Sequence, residues 1–227
     1  VVVLNYNGAQ WLPRCLASIR SQTCFPSLEL VVVDNASTDD SVEIANSLLK
    51  DWRNARLLRM ERNTGFSEGN NLGARDSRGE YLFFLNNDAW LERDCLETLV
   101  SEVRLAGAAA GCPLVLDYDT DNFQSLGALG FDLCAWETER RFFPQTSPVW
   151  MAEGCGLLIE RRVFEEVQGF DPKFFMYAEE LDLCWRLWLA GYKVVGVPKA
   201  RMHHRGAACV NPKGGRRMLE LRTSDTK

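Results

Sequence analysis

Apolar residues in this chain gather into short runs, each of which stops on a cluster of small polar side chains. The clearest is Tyr81-Leu82-Phe83-Phe84-Leu85, which follows Arg78-Gly79 and ends on Asn86-Asn87-Asp88. A run with no polar interruption predicts a strand buried on both faces. Residues 1–4 lead in the same way into Asn5-Tyr6-Asn7-Gly8, and residues 28–33 into Asp34-Asn35-Ala36-Ser37-Thr38-Asp39-Asp40. Between these runs, Leu12, Cys15, Leu16 and Ile19 share one helical stripe that ends near Gln22. Val42, Ile44, Ala45, Leu48 and Leu49 mark a second helix, with Ser37 or Thr38 as its cap and acidic residues in its first turn. Strand, turn and helix repeated in that order predict a parallel sheet with right-handed crossovers. Ligands of such sheets bind beyond the carboxyl ends of the strands, where the polar clusters fall.

Residues 56–60 predict a third strand, 94–106 a helix and 109–116 another buried strand. Asn63-Thr64-Gly65-Phe66-Ser67-Glu68-Gly69-Asn70-Asn71-Leu72-Gly73 lies between. Its glycines permit close approach to a ligand or a neighbouring element, and its amides offer donors and acceptors. After residue 116 the strands shorten, with Gly127, Gly130, Pro144 and Pro148 among them. Residues 1–116 therefore read as a nucleotide-type half, and 117–227 as a smaller mixed layer of the same domain. Glu153-Gly154-Cys155-Gly156 leads into a strand at 157–159, and a short helix at 162–167 is closed by Gly169. The helix through Leu189 carries more apolar residues than one stripe needs, which predicts burial on most sides. Residues 193–197 are the last predicted strand, after which Pro198 leads to His203-His204. Adjacent side chains point apart, so at most one of these histidines serves a metal or phosphate.

Composition narrows the classes. With 227 residues, 46% hydrophobic and 25% charged, the chain can bury one sizeable core. A net charge of −5 argues against a nucleic-acid binder. Eight cysteines without a Cys-x-x-Cys pair, and two histidines, indicate neither a zinc knuckle nor a disulfide framework, so reduced cysteines in a cytoplasmic setting are expected. The apolar stretch 105–116 is too short to span a membrane and holds Gly107, Gly111 and Pro113. The sequence opens without methionine inside an apolar run, which suggests an excerpt of a longer protein. The spacing from Gly65 to Gly73 fits neither the dinucleotide fingerprint nor the P-loop, against a nicotinamide enzyme or an ATPase.

Two acidic clusters carry candidate chemistry. Asp88 at a strand end is a candidate ligand for a hard divalent cation that holds a phosphate, although the same triplet also reads as a turn and helix cap. Glu179, Glu180 and Asp182 follow the apolar Phe174-Phe175-Met176-Tyr177. First-turn carboxylates often only complement the helix dipole, an account that suits Glu179. An apolar wall also raises a carboxyl pKa and suits one of them to act as a general base.

Taken together, Val1 to Asn7, the Asp34–Asp39 turn, Asn63-Thr64-Gly65-Phe66 with Gly69-Asn70-Asn71, Asn86-Asn87-Asp88, Gly169-Phe170-Asp171 and Glu179-Glu180-Leu181-Asp182 resemble family-2 glycosyltransferases of the GT-A fold. The likeness spans nearly the whole chain and is greatest to the bacterial rhamnosyltransferase-like branch that builds cell-surface polysaccharides. It implies a nucleoside-diphosphate sugar donor, a divalent cation (Mn2+ or Mg2+) and an inverting transfer to a glycan or lipid-linked hydroxyl. By that resemblance Asn5, Asn7, Asp34, Asn63, Asn70, Asn86 and Asn87 surround the nucleotide sugar, with Asp34 accepting from the base or ribose. Asn86-Asn87-Asp88 stands where the family has Asp-x-Asp, which leaves Asp88 as the metal carboxylate, and His204 matches a histidine that completes the metal or diphosphate site in some relatives. Glu179-Glu180 stands where the family often has Glu-Asp, so the base is assigned to Glu180 with Glu179 and Asp182 as rivals. Trp150, Glu153 and Gly154 are acceptor-side candidates by position, and packing accounts equally well for the Trp. Lys213, Arg216, Arg217 and Arg222 form a basic tail, either simply solvated or in peripheral contact with the inner face of the membrane. The rival readings are a silent nucleotide-sugar or glycan-binding module and a sugar nucleotidyltransferase. The latter lacks its glycine-rich basic loop at Asn5-Tyr6-Asn7-Gly8.

Overall fold

The computed structural model describes residues 1–132 and 137–206. Strand β1 (Val2–Asn5) pairs in parallel with β2 (Leu30–Asp34) on one side and β4 (Tyr81–Asn86) on the other, and β2 pairs in parallel with β3 (Ala55–Arg59). All four therefore end at the same edge, which is where the polar clusters of the sequence lie. The strands alternate their apolar side chains between two cores. Val3, Val32, Phe83 and Leu85 face helices α1 (Leu12–Arg20), α2 (Ser41–Leu49) and α4 (Cys95–Leu105), whereas Val2, Val31, Val33 and Phe84 face α3 (Gly65–Asp76) and the C-terminal elements.

Beyond β4 the sheet continues through β11 (Gly156–Glu160), β6 (Ala110–Asp117) and β12 (Val194–His204). Strand β11 runs antiparallel to both neighbours, with Gly156 opposite Leu85. That reversal sets the Glu153-Gly154-Cys155 turn beside the end of β4, where the Asn86 N–H donates to the Cys155 carbonyl (3.1 Å). Residues 117–132 and 137–149 hold the short strands that the sequence predicts: β7 (Phe123–Ser125), β8 (Gly130–Asp132), β9 (Glu137–Glu139) and β10 (Ser147–Pro148). Helices α5 (Arg161–Glu166) and α6 (Glu179–Leu189) cover the second core.

Four local expectations are corrected, and a fifth is extended: the glycine- and asparagine-rich stretch after Asn63 forms a helix, α3, whose Gly69 and Gly73 make the close approach to a neighbouring element by lying directly on β1. A Cβ at either would come within 2.4 Å of Leu4 or Val2. Helix α2 starts at Ser41 without a side-chain cap, since the Ser37 hydroxyl is bound to Asn5 and Asn7 instead. The Asn86–Asp88 segment leads into a short strand, β5 (Ala89–Leu91), before α4 begins. Helix α6 is not buried all round: Trp185 and Leu189 are 49% and 77% exposed. The last strand does not stop at Val197. It absorbs Pro198 in an irregularity against β6 and continues to His204, a placement that tolerates a residue without an N–H.

Phe170, fully buried, joins Phe84 of β4, Phe164 of α5 and Phe66 of α3 at centroid distances of 5.0, 5.5 and 5.6 Å. Phe170→Ala should lower unfolding free energy by about 3–5 kcal/mol in urea titrations. A loss below about 1 kcal/mol would show that this aromatic cluster does not join the halves.

Candidate active site

At the strand ends, buried asparagines stitch β1, β2 and β4 together. Asn5 donates to Asp34 Oδ1 and Ser37 Oγ (both 3.1 Å), and its own Oδ1 accepts from Asn87 (2.7 Å). Asp34 Oδ2 accepts from the Ser37 N–H (3.1 Å), while Asn7 Oδ1 accepts from the Thr38 N–H (2.8 Å). Beside them lies an open cavity of about 440 Å³ lined by Asp34, Ala36, Ser37, Arg59, Met60 and Glu61. Asn63 pins the start of α3 by accepting from Asn35 (2.8 Å) and the Gly65 N–H (2.9 Å). Asn35, which the sequence reading passed over, also accepts from the Thr64 N–H (2.9 Å) and so ties the β2 end to α3. Asn70 donates to the Phe66 carbonyl (3.1 Å), and its Oδ1 is buried with no hydrogen-bond partner among the described residues.

A second cluster forms where β4 meets β12. His204 Nε2 lies 3.3 Å from Asp88 Oδ1 and 3.4 Å from Asn86 Nδ2. Burial disfavours the His204 cation, but the Cys155 thiol and the Asp88 carboxylate outweigh it and hold the proton affinity well above that of a free imidazole. His203, one residue earlier, points the other way: Nδ1–H donates to the Asp117 carbonyl (3.1 Å), and the ring stacks on Trp90 at 3.7 Å. Arg14 lies between Trp90 and Tyr118, and Trp11 packs edge-on to Tyr118, so a ladder of rings and guanidinium holds the end of β12 against α1. Gln124, on β7, donates to the His204 carbonyl (2.7 Å). None of these supports has a signal in the sequence, because each depends on a long-range register.

The third cluster begins on the turn before β11. Glu153 accepts from Ser125 Oγ (2.5 Å) and Arg140 Nε (2.7 Å). A Cβ at Gly154 would lie 3.5 Å from that of Glu180, so the turn sits against the start of α6. Glu179 is 4% exposed, and both Glu179 and Glu180 bury an Oε2 that finds no partner among the described residues. Burial, then the Glu180 charge, raises the Glu179 pKa from 4.5 to about 8. Burial likewise raises Glu180, with Glu153 adding to the rise and Arg140 opposing it. A solvated complement to the helix dipole does not describe Glu179. Asp182 is committed elsewhere, bound by Arg186 Nη2 and Nε at 2.7 and 2.9 Å. Trp150 is half-buried, its carbonyl accepts from the Trp188 indole (3.1 Å), and its ring packs edge-on to Trp185.

The turn 153–155 therefore touches both acidic clusters, Cys155 against the Asn86–His204 side and Gly154 against Glu180. Among the described residues no group of three or more His, Cys, Asp and Glu could hold a metal. Asp88 and His204 supply one carboxylate and one imidazole at a single point. That donor set accepts Mn2+ once the imidazole has released its proton and phosphate oxygens and water complete the shell, whereas Mg2+, which takes oxygen ligands, would rest on Asp88 and phosphate.

A mixed sheet whose central strands run parallel, flanked by helices, is the GT-A fold, and solved structures agree with it in architecture. GalNAc-T7 with UDP, GalNAc and Mn2+ superposes at a TM-score of 0.79 with 21% identity, over 89% of this chain and 43% of that one. The mannosyltransferase PcManGT of Pyrobaculum calidifontis, with GDP-Man and Mn2+, gives 0.69 at 18% identity, over 90% and 56%. The chain belongs to glycosyl transferase family 2, whose profile matches residues 1–168. It is 30% identical to glycosyltransferase GlyG of Streptococcus pneumoniae serotype 4, over 86% of this chain and 66% of that one. It is also 30% identical to the N-acetylglucosaminyl-diphospho-decaprenol L-rhamnosyltransferase of Mycobacterium tuberculosis, over 90% and 75%. The chain thus spans just under two thirds of GlyG and three quarters of the rhamnosyltransferase. Among the described residues no helix is long and apolar enough to cross a membrane, and the basic tail from Lys213 to Arg222 lies outside the described residues.

The Glu179 carboxyl fixes a sign for stability. Its native pKa of about 8 exceeds the unfolded 4.5, so the folded chain holds a proton that the unfolded chain releases. Its stabilising effect is complete below pH 4.5 and is lost as pH rises toward 8. Glu179→Gln removes that loss. Its melting temperature relative to the unaltered chain should rise by at least about 2–4 °C between pH 5 and pH 8, the equivalent of roughly 1 kcal/mol. An offset that is the same at both pH values would contradict the buried, proton-holding carboxyl.

Proposed function

We propose that this chain moves a sugar from a nucleoside-diphosphate sugar to a hydroxyl of a glycan or lipid-linked acceptor, with inversion, in the synthesis of a cell-surface polysaccharide. The observation that carries this reading is the single turn, residues 153–155: Cys155 meets Asn86 and His204, the partner of Asp88, and Gly154 meets Glu180. The cavity beside Asp34 is where the nucleoside would sit, with Asn5, Asn7, Asn63, Asn70, Asn86 and Asn87 shaping the donor side. Rhamnose is a candidate sugar, since one 30% identical relative is named an L-rhamnosyltransferase acting on a diphospho-decaprenol-linked sugar.

Asp88 and His204 would hold a divalent cation, which when bound supplies charge neutralisation to a diphosphate leaving group. The remaining work belongs to side chains. An acceptor hydroxyl is not acidic and needs a base as its oxygen attacks the anomeric carbon from the face opposite the diphosphate. Glu180 meets the requirement. Burial raises its proton affinity, and among the described residues its Oε2 is not spent on another group. One displacement at carbon inverts the centre. Asp182 is set aside as base because Arg186 binds it. Glu153, Gly154 and Trp150 would border the acceptor, and Arg140 and Ser125 hold Glu153 in place.

Glu180→Gln should lower transfer by about 10²–10⁴-fold, the usual contribution of a positioned base. Binding of the nucleoside diphosphate, measured by calorimetry, should be retained. Full turnover in that variant removes Glu180 from the role. Asp88→Ala should abolish the gain in nucleotide affinity that Mn2+ gives the unaltered chain. A gain that survives would place the cation elsewhere.

A further inference from the structure

Asn71 belongs to the amide-rich stretch of α3, yet the donor site gives it no task. Among the described residues its side-chain hydrogen bonds go to Phe170 alone, 99 positions away. Nδ2–H donates to the Phe170 carbonyl (2.8 Å), and Oδ1 accepts from the Phe170 N–H (3.0 Å). A carboxamide satisfies a peptide N–H and C=O together, which neither a carboxylate nor an ammonium can do. The preceding Gly169 has φ of 67°, and a Cβ there would lie 2.8 Å from Asn71 Oδ1. The turn is therefore shaped around this amide.

Arg186 grips the same turn from the other side. It donates to the Gly169 carbonyl (2.7 Å) and to the Val167 carbonyl, with its guanidinium fixed by Asp182. Five residues after Phe170, the Phe175 carbonyl accepts from the Phe66 N–H at the start of α3 (2.6 Å). The segment from Gly169 to Phe175 is thus tied to α3 at both ends. It then turns through Tyr177 and Ala178, at φ of 73° and 69°, straight into Glu179 and Glu180. At that same start α3 is tied through Asn35 to the end of the strand that carries Asp34.

We propose that Asn71 is a positioning residue for transfer: its paired hydrogen bonds to Phe170 register the Glu179–Glu180 end of α6 against the donor half of the molecule. The proposal rests on the reading of Glu180 as the base. It assigns Asn71 no contact with donor, acceptor or cation, so its loss should slow the chemical step and leave donor binding as it was.

Asn71→Asp is the direct test, since it keeps the shape but sets a carboxylate oxygen against the Phe170 carbonyl. Turnover is followed as nucleoside-diphosphate release from a panel of UDP-, GDP- and dTDP-sugars with Mn2+, with amide hydrogen exchange measured alongside. In Asn71→Asp, kcat should fall at least about tenfold, the scale of effect that a small misplacement of reacting groups produces. The donor KM should stay within about twofold, as expected when an interaction outside donor binding is lost. Exchange should accelerate over residues 170–178 and remain unchanged in β1 and β4. Asn71→Gln, which keeps both amide groups one methylene further out, takes its place if the Asp variant does not fold, and should show the same split at reduced size. An unchanged kcat, a KM that rises as kcat falls, or unaltered exchange over residues 170–178 overturns the proposal. Glu180→Gln run in parallel separates the two claims. If it is inactive while Asn71→Asp is fully active, only the role of Asn71 falls; if it is fully active, the base assignment falls and takes this role with it.

Discussion

The site depends on one strand that runs against its neighbours. Had β11 joined the sheet in parallel, the Glu153-Gly154-Cys155 turn would lie at the opposite edge from Asn86 and Asp88. Because β11 is antiparallel, with Gly156 opposite Leu85, its leading turn meets the trailing end of β4, and the Asn86 N–H closes on the Cys155 carbonyl. Two acidic clusters almost a hundred positions apart in sequence thereby pack on one three-residue turn. Each of the other contacts in the site refines that meeting.

Polar groups are buried around this meeting at a density that an apolar core would not tolerate unless they bonded one another. The strand-end asparagines do so, each satisfied by a neighbouring strand or helix start, and they act as fixed struts. The exceptions are informative. Asn70 Oδ1 and the Oε2 atoms of Glu179 and Glu180 are enclosed with no partner among the described residues, and burial raises the pKa of both carboxyls. Unsatisfied buried groups of this kind concentrate at sites that expect a partner to arrive. Structural ion pairs take the reverse course: Asp182 is bound by Arg186, and Glu153 by Arg140, on the elements around the two glutamates.

Much of the fold could be read from the pattern of residues. Strands β1, β2 and β4 stand out because a strand buried on both faces must be apolar at every position, and the polar residues that follow mark the edge where they end. What stayed hidden shares one cause, namely dependence on partners distant in sequence. The glycines of α3 lower its intrinsic helix propensity, and only contact with β1 makes them favourable. The run through Pro198 to His204 is a strand because β6 lies beside it. The direction of β11 and the bond between Asn71 and Phe170 leave no trace in local spacing. The same holds within the site: acidity near residue 180 was legible, but whether Glu179 faced water or protein, and that Asp182 was bound by Arg186, required the packed structure.

The proposed transfer requires that Asp88 with His204, and Glu180, face one ligand across a shared cleft. A crystal structure of the chain with a nucleoside diphosphate and Mn2+, with the metal located by anomalous scattering, addresses it directly. The account expects the Mn2+ signal at Asp88 and His204, the diphosphate on the metal, the nucleoside beside Asp34, and the Glu180 carboxylate turned toward the open side of the diphosphate. A metal bound away from Asp88, or a Glu180 side chain that points out of the cleft holding the nucleotide, would contradict it.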